Sequence, residues 1–194
     1  MSDMPKVYLA GPEVFFPAPL HKTIVARKKA MLTSYGLAGA DPLDNALELP
    51  EDEAGPAQAN RIYQANRKLM DDCQAIIANL TPFRSISADP GTVFEVGYMV
   101  GQGKLAVGFT LDERDYRRRS GSRDGFDANG HSIEDFGLSD NLMIDCSIQA
   151  SGGALFRLAG FSTEGNGDTA PAFFDEELFQ RCAEAVAEVL GTHN

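Results

Sequence analysis

The chain has 194 residues, of which 43% are hydrophobic and 23% are charged. These are the proportions of an ordinary globular protein, and they exclude collagen-like, coiled-coil and wholly disordered chains. At roughly 150 residues per domain, we expect residues 1–194 to form one domain with a substantial core. The formal net charge of −11 disfavours nucleic-acid binding, because an acidic surface repels the phosphate backbone.

Targeting signals and metal-binding motifs are not evident in the sequence. No apolar run reaches the ~18 residues of a membrane span, and the first residues lack the basic and apolar regions of a secretory signal. Three widely spaced cysteines suit a reducing cytoplasm, and the three histidines show no metal-ligand spacing. We therefore expect a cytoplasmic protein with no metal or cofactor and without nucleic-acid or membrane partners.

Strand and helix patterns alternate along the first 110 residues. Short apolar runs that end at turn residues predict strands at 6–10, 37–40, 75–80 and 105–110. Helical spacing of apolar residues predicts helices between them at 20–35, 58–73 and 90–102. The alternation predicts an α/β fold, a flavodoxin-like doubly wound sandwich around a mostly parallel sheet of about five strands. In such folds ligands bind beyond the carboxyl ends of the strands.

The remainder of the chain is less regular. Residues 111–140 are polar and Gly-rich, which predicts a long mobile surface loop. The loop contains five arginines, at Arg114, Arg117, Arg118, Arg119 and Arg123. They could bind an anion, but a solvated charge run is the favoured interpretation. We expect a helix at 139–150, opened by Ser139 or Asp140, then a weakly patterned Gly-rich segment at 152–168 and an amphipathic helix at 173–190.

Carboxylates at the predicted strand ends are the main candidates for chemistry. Asp89 precedes Pro90 and suits the N-cap of the third helix. Glu95 follows about a turn and a half later among apolar residues, so we expect a largely buried helix whose dipole keeps this carboxylate ionised. A glutamate in such surroundings requires a partner or a function. An ionised, positioned carboxylate suits covalent glycosyl chemistry, although each residue alone has an ordinary structural explanation.

Six segments resemble, in the same order, the nucleoside 2-deoxyribosyltransferase family. They are residues 7–12, 41–45, 62–66, 75–84, 87–98 and 139–143. The segment from Ser87 to Tyr98 is the strongest, and it contains both Asp89 and Glu95. The resemblance implies an enzyme that cleaves the N-glycosidic bond of 2′-deoxynucleosides and transfers deoxyribose to another free nucleobase with retention of configuration.

The same resemblance implies roles for four side chains. Glu95 is the nucleophile that attacks C1′, and Tyr8 orients it, although a tyrosine in a buried strand is an equal alternative. Asp89 binds the 5′-hydroxyl of the sugar. Asn141 resembles a residue that completes the site of a neighbouring subunit, which implies a homo-oligomer; its structural alternative is a helix cap.

Three further residues are expected in the substrate site. Gly11 follows the first predicted strand. Asn66 stands where several family members carry an aspartate that handles the leaving base, and an amide can bind a base edge but cannot donate a carboxyl proton. Asp44 is expected to face the same pocket, with an ordinary turn aspartate as the alternative.

Two other functions stay open. Related 2′-deoxynucleoside 5′-phosphate N-hydrolases tend to carry serine at the position of Asp89. A carboxylate beside a 5′-phosphate is costly, whereas it accepts well from a 5′-hydroxyl, so Asp89 favours free nucleosides. Arg84, Ser85 and Ser87 keep the phosphate alternative open. A non-catalytic nucleoside-sensing module is the second alternative, and the presence of Tyr8 and Glu95 argues against it.

Overall fold

The sheet has five strands, all of them parallel. A computed structural model of the protein describes residues 4–45, 54–122, 124–158 and 174–192. The strands are β1 (Lys6–Ala10), β2 (Ala38–Ala40), β3 (Ala75–Asn79), β4 (Leu105–Thr110) and β5 (Leu155–Arg157). Their order is β2-β1-β3-β4-β5, and every neighbouring pair runs parallel. The predicted α/β class and strand number are confirmed.

Helices cover both faces of the sheet. Those within the described ranges are α1 (Ala18–Ser34), α2 (Gly55–Asp71), α3 (Pro90–Gly101), α4 (Tyr116–Ser120), α5 (Leu142–Ala150) and α6 (Glu176–Leu190). In that same part of the chain, none of the helices is long and apolar enough to cross a membrane. Helices α1 and α6 lie on one face of the sheet, α1 mainly against β2 and α6 mainly against β4. Helices α3 and α5 lie on the other face.

Residue alternation along β1 decides which side chains reach which face. Val7 and Leu9 belong to the apolar cluster that includes residues of α1 and α6. Tyr8 and Ala10 belong to the cluster that includes residues of α3 and α5. Because successive strand residues point to opposite faces, Tyr8 is directed toward α3.

Two predictions for the second half of the chain are wrong, and a third segment contains the strand that had no predicted position. The segment 111–140 is not one loop, since it contains α4 and an isolated bridge between Phe126 and Ser132. The Gly-rich segment contains β5, whose three half-buried residues are too few to show a period. Helix α5 begins at Leu142 after Asn141, whose Oδ1 accepts from the Met143 amide at 3.0 Å, rather than after Ser139 or Asp140.

A buried ion pair lies at the carboxyl end of β1. Lys28 Nζ lies 2.5 Å from Glu13 Oε1, which also accepts from Asn79 Nδ2 at 2.9 Å. The ammonium group is 5.4 to 5.8 Å from three ring centroids, those of Phe109, Phe174 and Phe179. A Cβ atom at Gly11 would lie 1.9 Å from Glu13 Oε2 and 2.9 Å from Asn79 Cβ, so a larger residue at this position would displace the Glu13 carboxylate from the pair. The pair therefore joins the segment after β1 to α1 and, through Asn79, to the end of β3.

Replacing Lys28 with methionine should destabilise the protein by about 3–5 kcal/mol, because it leaves the Glu13 carboxylate buried without its cation. The neighbouring substitution Lys29→Met is the matched control. Lys29 pairs with Asp44 on a partly exposed surface, and losing such a pair costs less than about 1 kcal/mol. Urea denaturation of both variants measures the difference, and equal midpoints would contradict the assigned role.

Candidate active site

A cavity of about 460 Å³ lies where the segments after β1 and β2 meet α2 and α3. This is the position at which parallel α/β sheets bind ligands. Four of the residues expected from sequence line it, namely Gly11, Asn66, Asp89 and Glu95. Tyr8 joins them from beneath, because its hydroxyl contacts Glu95. The cavity thus unites most of the predicted site.

The contact between Tyr8 and Glu95 connects the central sheet to α3. The Tyr8 hydroxyl donates to Glu95 Oε1 at 2.6 Å, and the tyrosine is fully buried. The second carboxylate oxygen, Oε2, has no donor among the residues that the structure describes. One oxygen is therefore fixed by the protein, and the other remains for a ligand in the cavity.

The ionisation of Glu95 differs from our expectation. Burial raises the pKa of Glu95 to about 7, the hydrogen bond from Tyr8 lowers it, and the negative charges of Asp89 and Asp41 raise it. The helix dipole acts mainly within the first turn, and Glu95 lies beyond that turn of α3. Desolvation therefore dominates. The pKa of Tyr8 is also raised, by burial and by the Glu95 charge, so the hydroxyl retains its proton.

Asp89 is the N-cap of α3, as predicted. Its Oδ2 accepts from the Thr92 amide at 3.0 Å and from the Thr92 hydroxyl at 3.3 Å. No described residue donates to Oδ1. The carboxylate can therefore cap the helix through one oxygen and accept a ligand hydroxyl through the other.

Two predicted site residues lie elsewhere. Asp44 is not among the described residues that line this cavity; it accepts from Lys29 Nζ at 2.5 Å and from the Asp41 amide at 2.8 Å. Its expected orientation is thus wrong. Asn141 caps α5 and donates from Nδ2 to Glu134 Oε1 at 2.7 Å, outside the cavity of its own chain.

Helix α3 is half buried rather than largely buried. Phe94 is 50% exposed and packs against Tyr63 and Tyr98, with ring centroids 6.3 and 6.0 Å apart. The apolar residues of this helix therefore divide between the core and an exposed aromatic surface.

Sequence reasoning missed the apolar walls of the cavity. Phe15, Leu43 and Ile62 line it and are substantially exposed. Phe15 is stacked on Phe83 with centroids 5.6 Å apart, and the Arg84 guanidinium lies within 4.8 Å of both ring centroids. The sequence did offer one indication of these walls: Phe15 follows shortly after the Gly-Pro turn that ends β1, at the edge of the sheet where ligands bind.

Comparison with known proteins adds independent information. Residues 7–143 match the nucleoside 2-deoxyribosyltransferase family. An uncharacterized protein of Schizosaccharomyces pombe is 34% identical over 170 residues, which are 77% of this chain and 80% of the relative.

Solved structures also resemble the chain. A 2-desoxiribosyltransferase from Leishmania mexicana has a TM-score of 0.64 and 29% identity, over 93% of this chain and 97% of that one. A conserved protein from Enterococcus faecalis V583 shares the fold, with a TM-score of 0.56 and 17% identity over 93% and 98% of the two chains. The sequence match over residues 7–143 and the shared fold confirm the resemblance: the chain belongs to the nucleoside 2-deoxyribosyltransferase family of glycosyl-transferring enzymes.

Proposed function

We propose that the protein transfers 2-deoxyribose between nucleobases of 2′-deoxynucleosides through a covalent glycosyl-enzyme on Glu95. The observation that carries the proposal is the hydrogen bond between Tyr8 and Glu95 at a cavity that Asp89 also lines. Convergence of these three side chains on one cleft is difficult to explain as packing. A non-catalytic sensing module would not need a carboxylate with one oxygen fixed and the other directed to ligand.

In the proposed reaction Glu95 Oε2 attacks C1′, and the bonding pair of the glycosidic bond leaves with the nucleobase. The resulting sugar ester is broken when a nitrogen of a second base attacks C1′, displaces Glu95 as a carboxylate and releases its proton to water. Two inversions give net retention. Tyr8 orients the carboxylate in both steps. Asn66 binds the base edge, and the leaving base takes its proton from water, because an amide cannot supply one.

The lining residues favour a free nucleoside over a nucleotide. Asp89 Oδ1 can accept from a 5′-hydroxyl, whereas the doubly charged 5′-phosphate would be repelled at this position. Among the described residues that line the cavity there is no lysine or arginine to offset that repulsion. The apolar walls formed by Phe15, Leu43 and Ile62 suit the faces of a flat base.

Incubation with 2′-deoxyinosine and adenine should give 2′-deoxyadenosine, and neither reactant alone should do so. Glu95→Gln should lower transfer more than about 1000-fold, since a nucleophile is lost, while the amide oxygen still accepts from Tyr8 and preserves the fold. Chromatography of the products measures both. Hypoxanthine and deoxyribose released at one rate with or without adenine would indicate a hydrolase. If the protein cleaves 2′-deoxyinosine 5′-phosphate but not 2′-deoxyinosine, the nucleotide alternative is established.

The pH dependence should report the ionisation of Glu95. Only its carboxylate attacks, so kcat/KM should fall about tenfold per pH unit as the pH decreases below about 7. Asp89→Asn removes a negative charge that raises this pKa and should move the acid limb to lower pH. Tyr8→Phe removes a hydrogen bond that lowers it and should move the limb to higher pH. A limb near the ordinary glutamate value, or shifts of equal sign, would contradict the assignment.

We also propose that Asn141 completes the cavity of a neighbouring subunit in a homo-oligomer. Asn141 is half-buried at the start of α5, two residues before Met143, which is 69% exposed. It is not among the described residues that line its own chain's cavity.

Coexpression of two inactive variants tests this shared site. Glu95→Gln and Asn141→Ser should each lose activity, and serine preserves the cap of α5. Mixed oligomers should recover about a quarter of wild-type activity, because random assortment joins an intact Glu95 to a neighbour's intact Asn141 at that frequency. Mixtures that stay inactive would place Asn141 outside the neighbour's site.

A further inference from the structure

A second buried ion pair lies behind the segment that carries Asp89. Arg119, on α4, contacts Asp140, with Nη2 3.3 Å from Oδ2. Their side chains are 2% and 1% exposed. The arginines of residues 111–140 were expected to be solvated, and this expectation is wrong for Arg119. Arg123 lies outside the described residues.

Asp140 binds the chain immediately before α3. Its Oδ1 accepts from the Ser87 hydroxyl at 2.5 Å, and its Oδ2 accepts from the Ala88 amide at 2.9 Å. Oδ1 also accepts from the Asn141 amide at 2.8 Å. One carboxylate thus fixes the residue before Asp89 and the backbone of Asn141.

Arg119 holds the same segment from a second side. Its Nε donates to the Ile86 carbonyl at 2.7 Å, and its Nη1 donates to the Arg114 carbonyl at 3.0 Å. The guanidinium therefore joins three separate stretches of chain, those of Ile86, Arg114 and Asp140. Its planar array of donors suits such a junction better than a single ammonium group would.

Stability alone does not explain this arrangement. A buried ion pair is expensive to desolvate, and packed apolar residues of similar volume often serve as well. What an apolar cluster cannot supply is directional hydrogen bonding to Ile86, Ser87 and Ala88. Asp89 is consequently fixed on both sides, by Asp140 through the preceding residue and by Thr92 through the cap of α3.

We propose that Arg119 and Asp140 are positioning residues for recognition of the substrate 5′-hydroxyl. They act through the segment 86–88, whose placement sets the position of the Asp89 carboxylate in the cavity. A misplacement of about 1 Å at such a group can lower a rate about 100-fold. The inference rests on the proposed function, in which Asp89 accepts from that hydroxyl.

The test compares 2′-deoxyinosine with 2′,5′-dideoxyinosine, which lacks the 5′-hydroxyl, each with adenine as acceptor. In Arg119→Met, kcat/KM for 2′-deoxyinosine should fall about tenfold or more, while that for the dideoxy substrate should change less than about threefold. The preference for the 5′-hydroxyl should therefore decrease. Arg118→Met is the matched control, because Arg118 is the adjacent arginine and its side chain is 73% exposed; it should leave the preference unchanged.

Two milder variants keep the test informative if Arg119→Met does not fold. Ser87→Ala removes one hydrogen bond to Asp140 and should reduce the same preference by a smaller factor. Arg119→Lys keeps the charge but not the three-way junction, and it should fall between wild type and Arg119→Met.

The possible outcomes distinguish the role of Arg119 from the role of Asp89 on which it rests. If wild type prefers the 5′-hydroxyl and Arg119→Met loses activity equally on both substrates, Arg119 is merely structural and the inference fails alone. If wild type transfers both sugars equally well, Asp89 does not bind the hydroxyl, and both the proposed role of Asp89 and the inference fail. A selective loss for 2′-deoxyinosine supports both.

Discussion

The hydrogen bond from Tyr8 to Glu95 is the interaction on which the candidate site depends. It joins β1, at the centre of the sheet, to α3, which forms one wall of the cavity. Strand alternation directs Tyr8 toward this helix, and the Asp89 cap fixes where the helix begins. A one-residue change of register in β1 would direct Tyr8 to the opposite face and leave Glu95 buried without its donor.

Charges near this edge of the sheet fall into two groups. Glu13 and Asp140 are buried against Lys28 and Arg119. The first pair joins the segment after β1 to α1, and the second pair holds the backbone before α3. Glu95 has no such cation among the described residues, and burial together with the nearby negative charges raises its pKa. The paired carboxylates are thus bound to buried cations, whereas Glu95 has the raised pKa of a carboxyl group without one. A cation beside Glu95 would lower its pKa.

Much of the fold could be predicted because its central elements follow simple periods. Strands β1, β3 and β4 are short apolar runs with clear ends, and Asp89 with Pro90 marks the start of α3. Strand β5 could not be predicted, because three half-buried residues between glycine-rich stretches show no period. Helix α4 was missed for a related reason: its five residues contain a run of arginines whose composition resembles a solvated loop.

The sequence indicated which residues belong to the candidate site better than it indicated where their side chains point. Tyr8, Asp89 and Glu95 follow from the family resemblance and from their places on elements. Asp89 and Glu95 line one cavity, and Tyr8 contacts Glu95 from beneath it. Asp44 could not be placed, because the short turn after β2 directs neighbouring side chains to different sides, and Lys29 binds this one. The pKa of Glu95 depends on burial in three dimensions, which the position of a residue along a helix does not disclose.

Selection between a hydroxyl and a phosphate at the 5′ end involves more than the charge of Asp89. Replacing that carboxylate with a hydroxyl would remove the repulsion, but it would not supply the cations and amides that a phosphate needs. Arg119 lies behind the segment, yet its donors are already used by Ile86, Arg114 and Asp140. Binding a phosphate through Arg119 would require the release of this arginine from its junction with Ile86, Arg114 and Asp140. In the proposed function, preference for the hydroxyl therefore depends on the same buried network that holds residues 86–88 in place.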